Sequence, residues 1–214
     1  FMPTTAAAGI QEAGRFNKSA GGQQELVTQS SKLSEVMGLQ NITQATNALG
    51  EANLSTGKSY DYLANLAYSA YQQVGGDAQQ FMSIFPSIQA LVDETGGDFE
   101  NLFITVTRGM AASGRSASEV TQVLNRFTEN INGLRGDKIL GFSQQLQSIS
   151  GVNALNPDMS MRSVDEILNG ISQKWDSFAP EIQQQILDIL AGSKLKQTLR
   201  TAGTALMGVY GEGM

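Results

Sequence analysis

The stretch ANLSTGKS, residues 52–59, carries the residue types of a phosphate-binding loop, with alanine in the first glycine position. In such a loop the backbone amides cradle phosphates, Lys58 would reach the terminal phosphates, and Ser59 would hold magnesium. That chemistry needs a buried strand running into the loop and a helix leaving it. The preceding NITQATNALGE is polar and helix-like. The competing expectation for 52–59 is therefore a glycine turn followed by a helix start.

Acid–base chemistry has few possible agents. The chain has no cysteine and no histidine, which excludes thiol chemistry, disulfides, most catalytic triads and most zinc sites. Carboxylates would have to do the work. Glu12 in QEAG, followed by MGLQ at 37–40, is similar to the glutamate setting of peptidoglycan-cleaving transglycosylases, although Ala13 stands where that family prefers serine. A single glutamate serving as general acid and base needs a dry pocket to raise its pKa, and the thinly hydrophobic opening segment is poorly suited to supply one. Asp93 and Glu94 lie side by side at an expected helix end, without metal-ligand spacing. The sequence reading is of a chain that is not an enzyme and needs no cofactor or metal.

The elements that would position these residues are helical. Apolar residues recur at helical spacing at Leu63, Leu66, Ala67 and Ala70, at Ile84, Ile88, Leu91 and Val92, and at Val120, Val123, Leu124 and Phe127. SASE (116–119) and SVDE (163–166) are capping-box sequences. Gly-Gly-Asp at 75–77 and 96–98 stops one helix and caps the next. Glycines every twenty residues or so suggest helical hairpins. Helices are expected over about 23–37, 41–53, 59–74, 77–95 (kinked or divided at Pro86), 98–113, 116–132, 137–149, 163–177 and 180–202. The fold class is all-α, short antiparallel helical hairpins without a sheet. Residues 1–22 are expected as a loosely ordered lead-in, 23–149 as a helical module, 150–162 as a linker, 163–202 as a helical hairpin, and the glycine-rich 203–214 as a flexible tail or connector.

Only 16% of the 214 residues are charged, where about 25% is usual, and the polar surface must come from Gln, Asn, Ser and Thr. A net charge of −6 with scattered basic residues argues against a specific nucleic-acid site. No apolar run is long enough for a membrane span. With Phe1 first and no signal-peptide pattern, the chain reads as a fragment or a processed product.

The most specific stretch surrounds the single tryptophan. Pro180 fits the first turn of a helix and Glu181 suits its positive end. Ile182, Ile186, Leu187, Ile189 and Leu190 make an apolar stripe, with Gln183, Gln184, Gln185 and Asp188 mostly opposite. Trp175, following Ile167, Leu168 and Ile171, is expected to fold over that stripe. Gly192 implies a break or a close helix approach. The expected core is Leu168, Ile171, Trp175, Ile182, Ile186 and Leu190, and the glutamines at 183–185 are a candidate surface for self-assembly, with solvation as the alternative.

MRSVDEILNGISQKWDSFAPEIQQQILDILAGSKLKQTL, residues 161–199, resembles the core segment of tail tape measure proteins of long-tailed bacteriophages and prophages. The matching positions are Arg162, Leu168, Lys174, Trp175, Asp176, Gln184, Ala191, Gly192 and Leu199, and residues 109–131 resemble the helical pair that precedes that core. The resemblance implies a structural virion protein in the tail tube lumen or tail tip, assembled in the bacterial cytoplasm. Such a protein sets tube length and leaves ahead of the genome at infection. Its partners would be copies of itself, the tail tube protein, tail tip or baseplate hub proteins and tail assembly chaperones. A fully helical rod of this length would span about 320 Å at 1.5 Å per residue, but the frequent breaks imply a folded module joined to the ruler. The other reading from sequence is a secreted or injected helical protein acting on a host partner.

Overall fold

The computed structural model describes residues 3–75, 81–193 and 195–211. Among them the chain is all-α, with no strand beyond one isolated antiparallel bridge between Leu155 and Met161. The helices are α1 (Pro3–Phe16), α2 (Ala20–Met37), α3 (Ile42–Thr56), α4 (Tyr60–Val74), α5 (Ile84–Thr95), α6 (Phe99–Ser113), α7 (Ala117–Gly133), α8 (Asp137–Ser150), α9 (Val164–Ser172), α10 (Pro180–Leu190) and α11 (Gln197–Val209), with a 3-10 turn at Trp175–Ser177. They form two units, Phe1–Gln89 and Ala90–Met214.

Capping sets most boundaries. Ser19, Asn41, Ser59 and Asp98 each accept a backbone N–H of the helix they precede, satisfying donors that the first turn leaves open. Ser116 and Ser163 form full capping boxes with Glu119 and Glu166. The bonds from Ser163 hold the Glu166 carboxyl below its ordinary range. Pro86 lies in the first turn of α5, where its missing donor is tolerated; residues 81–82 are helical and Ser83 is a turn, so the helix expected over 77–95 is divided just ahead of Pro86 and not kinked at it. The expected part of that helix at 77–80 lies outside the described residues.

In the first unit α1 packs on α2 and α3, and α2 on α3 and α4. The expectation of a loose lead-in over 1–22 is thereby corrected for residues 3–22, residues 1 and 2 lying outside the described residues. Helix α1 docks through small residues: Ala13 is fully buried, a Cβ at Gly9 would lie 3.3 Å from Ile42, and one at Gly50 would lie 2.3 Å from the Phe16 ring. Close approach of backbones replaces the large apolar side chains whose scarcity made the segment look unstructured. Leu26, Leu33, Leu49, Leu63, Phe81 and Phe85 fill the core.

In the second unit α11 is the central element, contacting α6, α7, α9, α10 and the 3-10 turn. Two expectations fail here. Residues 203–209 continue α11, and Leu206, Met207 and Tyr210 are buried. The glycines that suggested a loose tail serve close packing: a Cβ at Gly203 would lie 3.2 Å from Leu187, and one at Gly208 would lie 3.6 Å from the Trp175 ring. Nor is 150–162 a linker between domains. Val152, Ala154 and Leu155 are buried within the unit, and the Asn153 side-chain oxygen accepts from the Ser143 hydroxyl and the Leu155 amide. Gly, Asn and Pro broke the helix there, and apolar anchors kept the segment folded. The boundary between units falls inside α5, so residues 23–149 do not form one module.

Candidate functional site

The sequence-predicted chemical residues do not assemble. Gly57 ends α3 at φ 67, the Lys58 carbonyl accepts from Asn53, and Ser59 caps α4. Lys58 lies over the Tyr62 ring, 5.4 Å from its centre. Residues 52–59 thus join two helices, without the strand a phosphate loop requires. Glu12 is ion-paired with Arg15 one turn along α1. Asp93 and Glu94 are exposed at the end of α5. Among the described residues no three His, Cys, Asp or Glu side chains could hold a metal together.

What the second unit does bring together is the segment around Trp175. Helix α9 runs out at Ser172, the Lys174 amide donates to Ile171, and a single 3-10 turn carries the tryptophan inward. Trp175 is buried at 3% exposure and meets Phe178 edge to face, 6.4 Å between ring centres. The Lys174 ammonium donates to the Gly151 carbonyl at 3.3 Å. The Gln183 side-chain amide donates to the Trp175 carbonyl at 3.0 Å, which fastens the turn to the first turn of α10. Ala179 offers that helix no side-chain cap, and Pro180 begins it.

One face of α10 is tied to α11 by an ionic cluster. Arg200 donates to both oxygens of Asp188 at 2.7 and 2.9 Å, to the Gln184 side-chain oxygen at 2.7 Å and to the Leu195 carbonyl at 2.9 Å. Asp188 also accepts the Leu195 amide. The planar guanidinium suits such a fork, which a lysine could not reproduce. At the far end Asn130 on α7 donates to the Ile189 and Leu190 carbonyls, closing the open C-terminus of α10. Gly192 follows at φ 64, and a Cβ there would lie 2.2 Å from the Asn130 side chain.

Of the expected core residues, Leu168, Ile171, Ile186 and Leu190 have no exposure and Trp175 almost none. Ile182 is only half-buried, because it falls in the first turn of α10, and Leu187 takes the inward position. Gly192 is exposed and acts through its backbone. The helix expected over 180–202 is broken there, between α10 and α11. Two of the three glutamines proposed for assembly are used internally, and only Gln185 is fully turned to solvent. Arg200, Asn130 and Tyr210 were missed. The Tyr210 hydroxyl donates to Asp165 at 2.9 Å and its carbonyl accepts from Ser172. Burial, reinforced by the Asp165 carboxylate, pushes the phenol well above its ordinary pKa. Each of these partners lies far along the chain, where no local pattern announces it.

An open groove of ≈ 880 Å³ runs beside this knot, with Trp175 and Gln183 on one side and Arg200, Thr204 and Gly208 of α11 on the other. Across it Gln184 bonds both Thr204 and Arg200, and Gln183 bonds the Trp175 carbonyl, so these groups hold segments of the chain to one another. The model of one protein family, described as phage-related minor tail protein, matches residues 1–192. No curated protein and no solved structure matches the chain.

Proposed function

Because the chain belongs to the phage-related minor tail protein family, and so serves a structural role in the phage tail, we propose that it is a folded module of the tail tape measure protein. In that role it sits in the tail tube lumen or at the tail tip, takes part in fixing tube length, and departs ahead of the DNA at infection. The observation that carries the reading is the segment 161–199. Its Lys-Trp-Asp turn, Gln-bearing helix and Ala-Gly break resemble the tape measure core, and in the fold these same residues form one interlocked knot.

The chemistry of the chain supports it. A sparse charge density and surface amides suit a chain packed among others in a narrow space. Among the described residues no helix is long and apolar enough to cross a membrane. The reading assigns the module no catalytic step, cofactor or specific nucleic-acid site. Its partners are other copies, the tail tube protein, tail tip or hub proteins and the assembly chaperones.

Deleting the module from the phage, with the rest of the protein intact, tests this. Electron micrographs should show tails absent or of irregular length. Tails of unchanged and uniform length would overturn the tape measure assignment.

A further inference from the structure

Among the described residues six large apolar side chains are prominently exposed, and three of them belong to a knob and a groove of matching chemistry. The knob is the tip of the 151–162 segment. Met159 is 63% exposed and, among the described residues, is the single non-glycine with a left-handed backbone, at φ 67. That conformation favours glycine or asparagine, so a methionine held in it is a residue displayed at some cost. The tip is braced. The Met159 amide donates to Asn156, the Asn156 amide to Ser160, and the Arg162 amide to Ala154. One Asp158 oxygen accepts from both the Ser160 amide and its hydroxyl, and among the described residues the second oxygen of this exposed acid has no hydrogen-bond partner.

The groove lies between α2 and α4 in the first unit and encloses ≈ 170 Å³. Buried Leu33 and Ala64 form its floor, and exposed Val36 and Tyr68 its apolar rim. Among the described residues Lys32, on the α2 side, has no hydrogen bond or ion pair, and Asp61 on the α4 side accepts from the Gln29 and Asn65 side-chain amides. The groove therefore presents an apolar slot, an aromatic face and, on its α2 side, the cation of Lys32, with the Asp61 carboxylate opposite it on α4. The tip presents a thioether beside a free carboxylate oxygen.

We propose that the Met159 tip of one copy docks in the α2/α4 groove of a second copy. The thioether lies against Tyr68 and Val36, a contact that sulfur makes well with aromatic rings, and Asp158 pairs with Lys32. Knob and groove are different surfaces, so the contact is head-to-tail and can repeat along an axis. The inference rests on the multi-copy tail reading and supplies its surface, in place of the glutamine face of α10.

The natural absence of cysteine makes the test clean. Full chain carrying Pro157→Cys is mixed with full chain carrying Val36→Cys, and a short bismaleimide is added. Only a contact between copies can yield the mixed dimer. The expected result is a mixed dimer at least about tenfold above a control pair of Pro157→Cys with Leu54→Cys, lost with Lys32→Glu and kept with Lys32→Arg. Met159→Ser in the knob-bearing chain should also remove it. A yield equal to the control, or one indifferent to Lys32→Glu, overturns the contact. If the chain self-associates with the yield at control level, the groove is wrong and the multi-copy reading stands. If the cross-link forms but deletion leaves tail length unchanged, the contact stands and the tape measure assignment falls.

Discussion

Single side chains in the Trp175 knot have separable jobs. Trp175 fills the space between the 3-10 turn and α11, so Trp175→Ala should cost about 3–5 kcal/mol, the range for emptying a large aromatic site. Urea unfolding measures this, and a loss under half a kcal/mol would show that the ring contributes little. The neighbouring glutamines divide by what they touch. Gln183→Glu removes the donor to the Trp175 carbonyl and sets a carboxylate against it, at a cost of about 1–3 kcal/mol. Gln185→Glu faces water and should stay within about half a kcal/mol. Equal effects at the two positions would mean that the Gln183 bond is inconsequential. Gly192→Ala must hold a left-handed backbone and displace Asn130, so about 1–3 kcal/mol should be lost by the same measurement.

At the scale of elements, the sequence announced helices through caps and periodicity, and those signals are local. The capping boxes at Ser116 and Ser163 and the aspartate cap at Asp98 fall where the pattern put them. What was not legible depends on partners distant in the chain. Helix α1 has too few large apolar residues to declare itself, because its seam with α3 is made of Gly9, Ala13 and Gly50. Helix α11 looked like a loose end because Gly203 and Gly208 read as breakers until Leu187 and Trp175 are set against them. The Arg200 cluster joins positions twelve and sixteen residues apart across a break, beyond any helical spacing. Most of the core residues around Trp175 were readable from the apolar stripe; the polar ties that lock them were not.

The end of α11 also supplies a pH test. The raised pKa of Tyr210 means that the folded chain holds this proton more tightly than the unfolded chain does. Its contribution is complete below the ordinary tyrosine value of 10.0 and is lost as pH rises past that value toward the folded pKa. Stability in urea should therefore fall more steeply above pH 10 in the natural chain than in Tyr210→Phe, and parallel curves would remove Tyr210 as the cause.

For the whole molecule, family membership puts the chain in the phage tail, and the fold describes a module of two helical units built on close-packed small residues and neutral amides. Such a module fits a component that is packed into a tube during assembly and then has to leave it. The most direct measurement is the amount of this chain in purified particles before DNA release and after it, by quantitative mass spectrometry against the tail tube protein. The proposed role predicts several copies per filled particle, shielded from added protease, and their loss from emptied particles. Copies that stay with emptied tails, or that protease removes from intact ones, would contradict a lumenal component released with the genome.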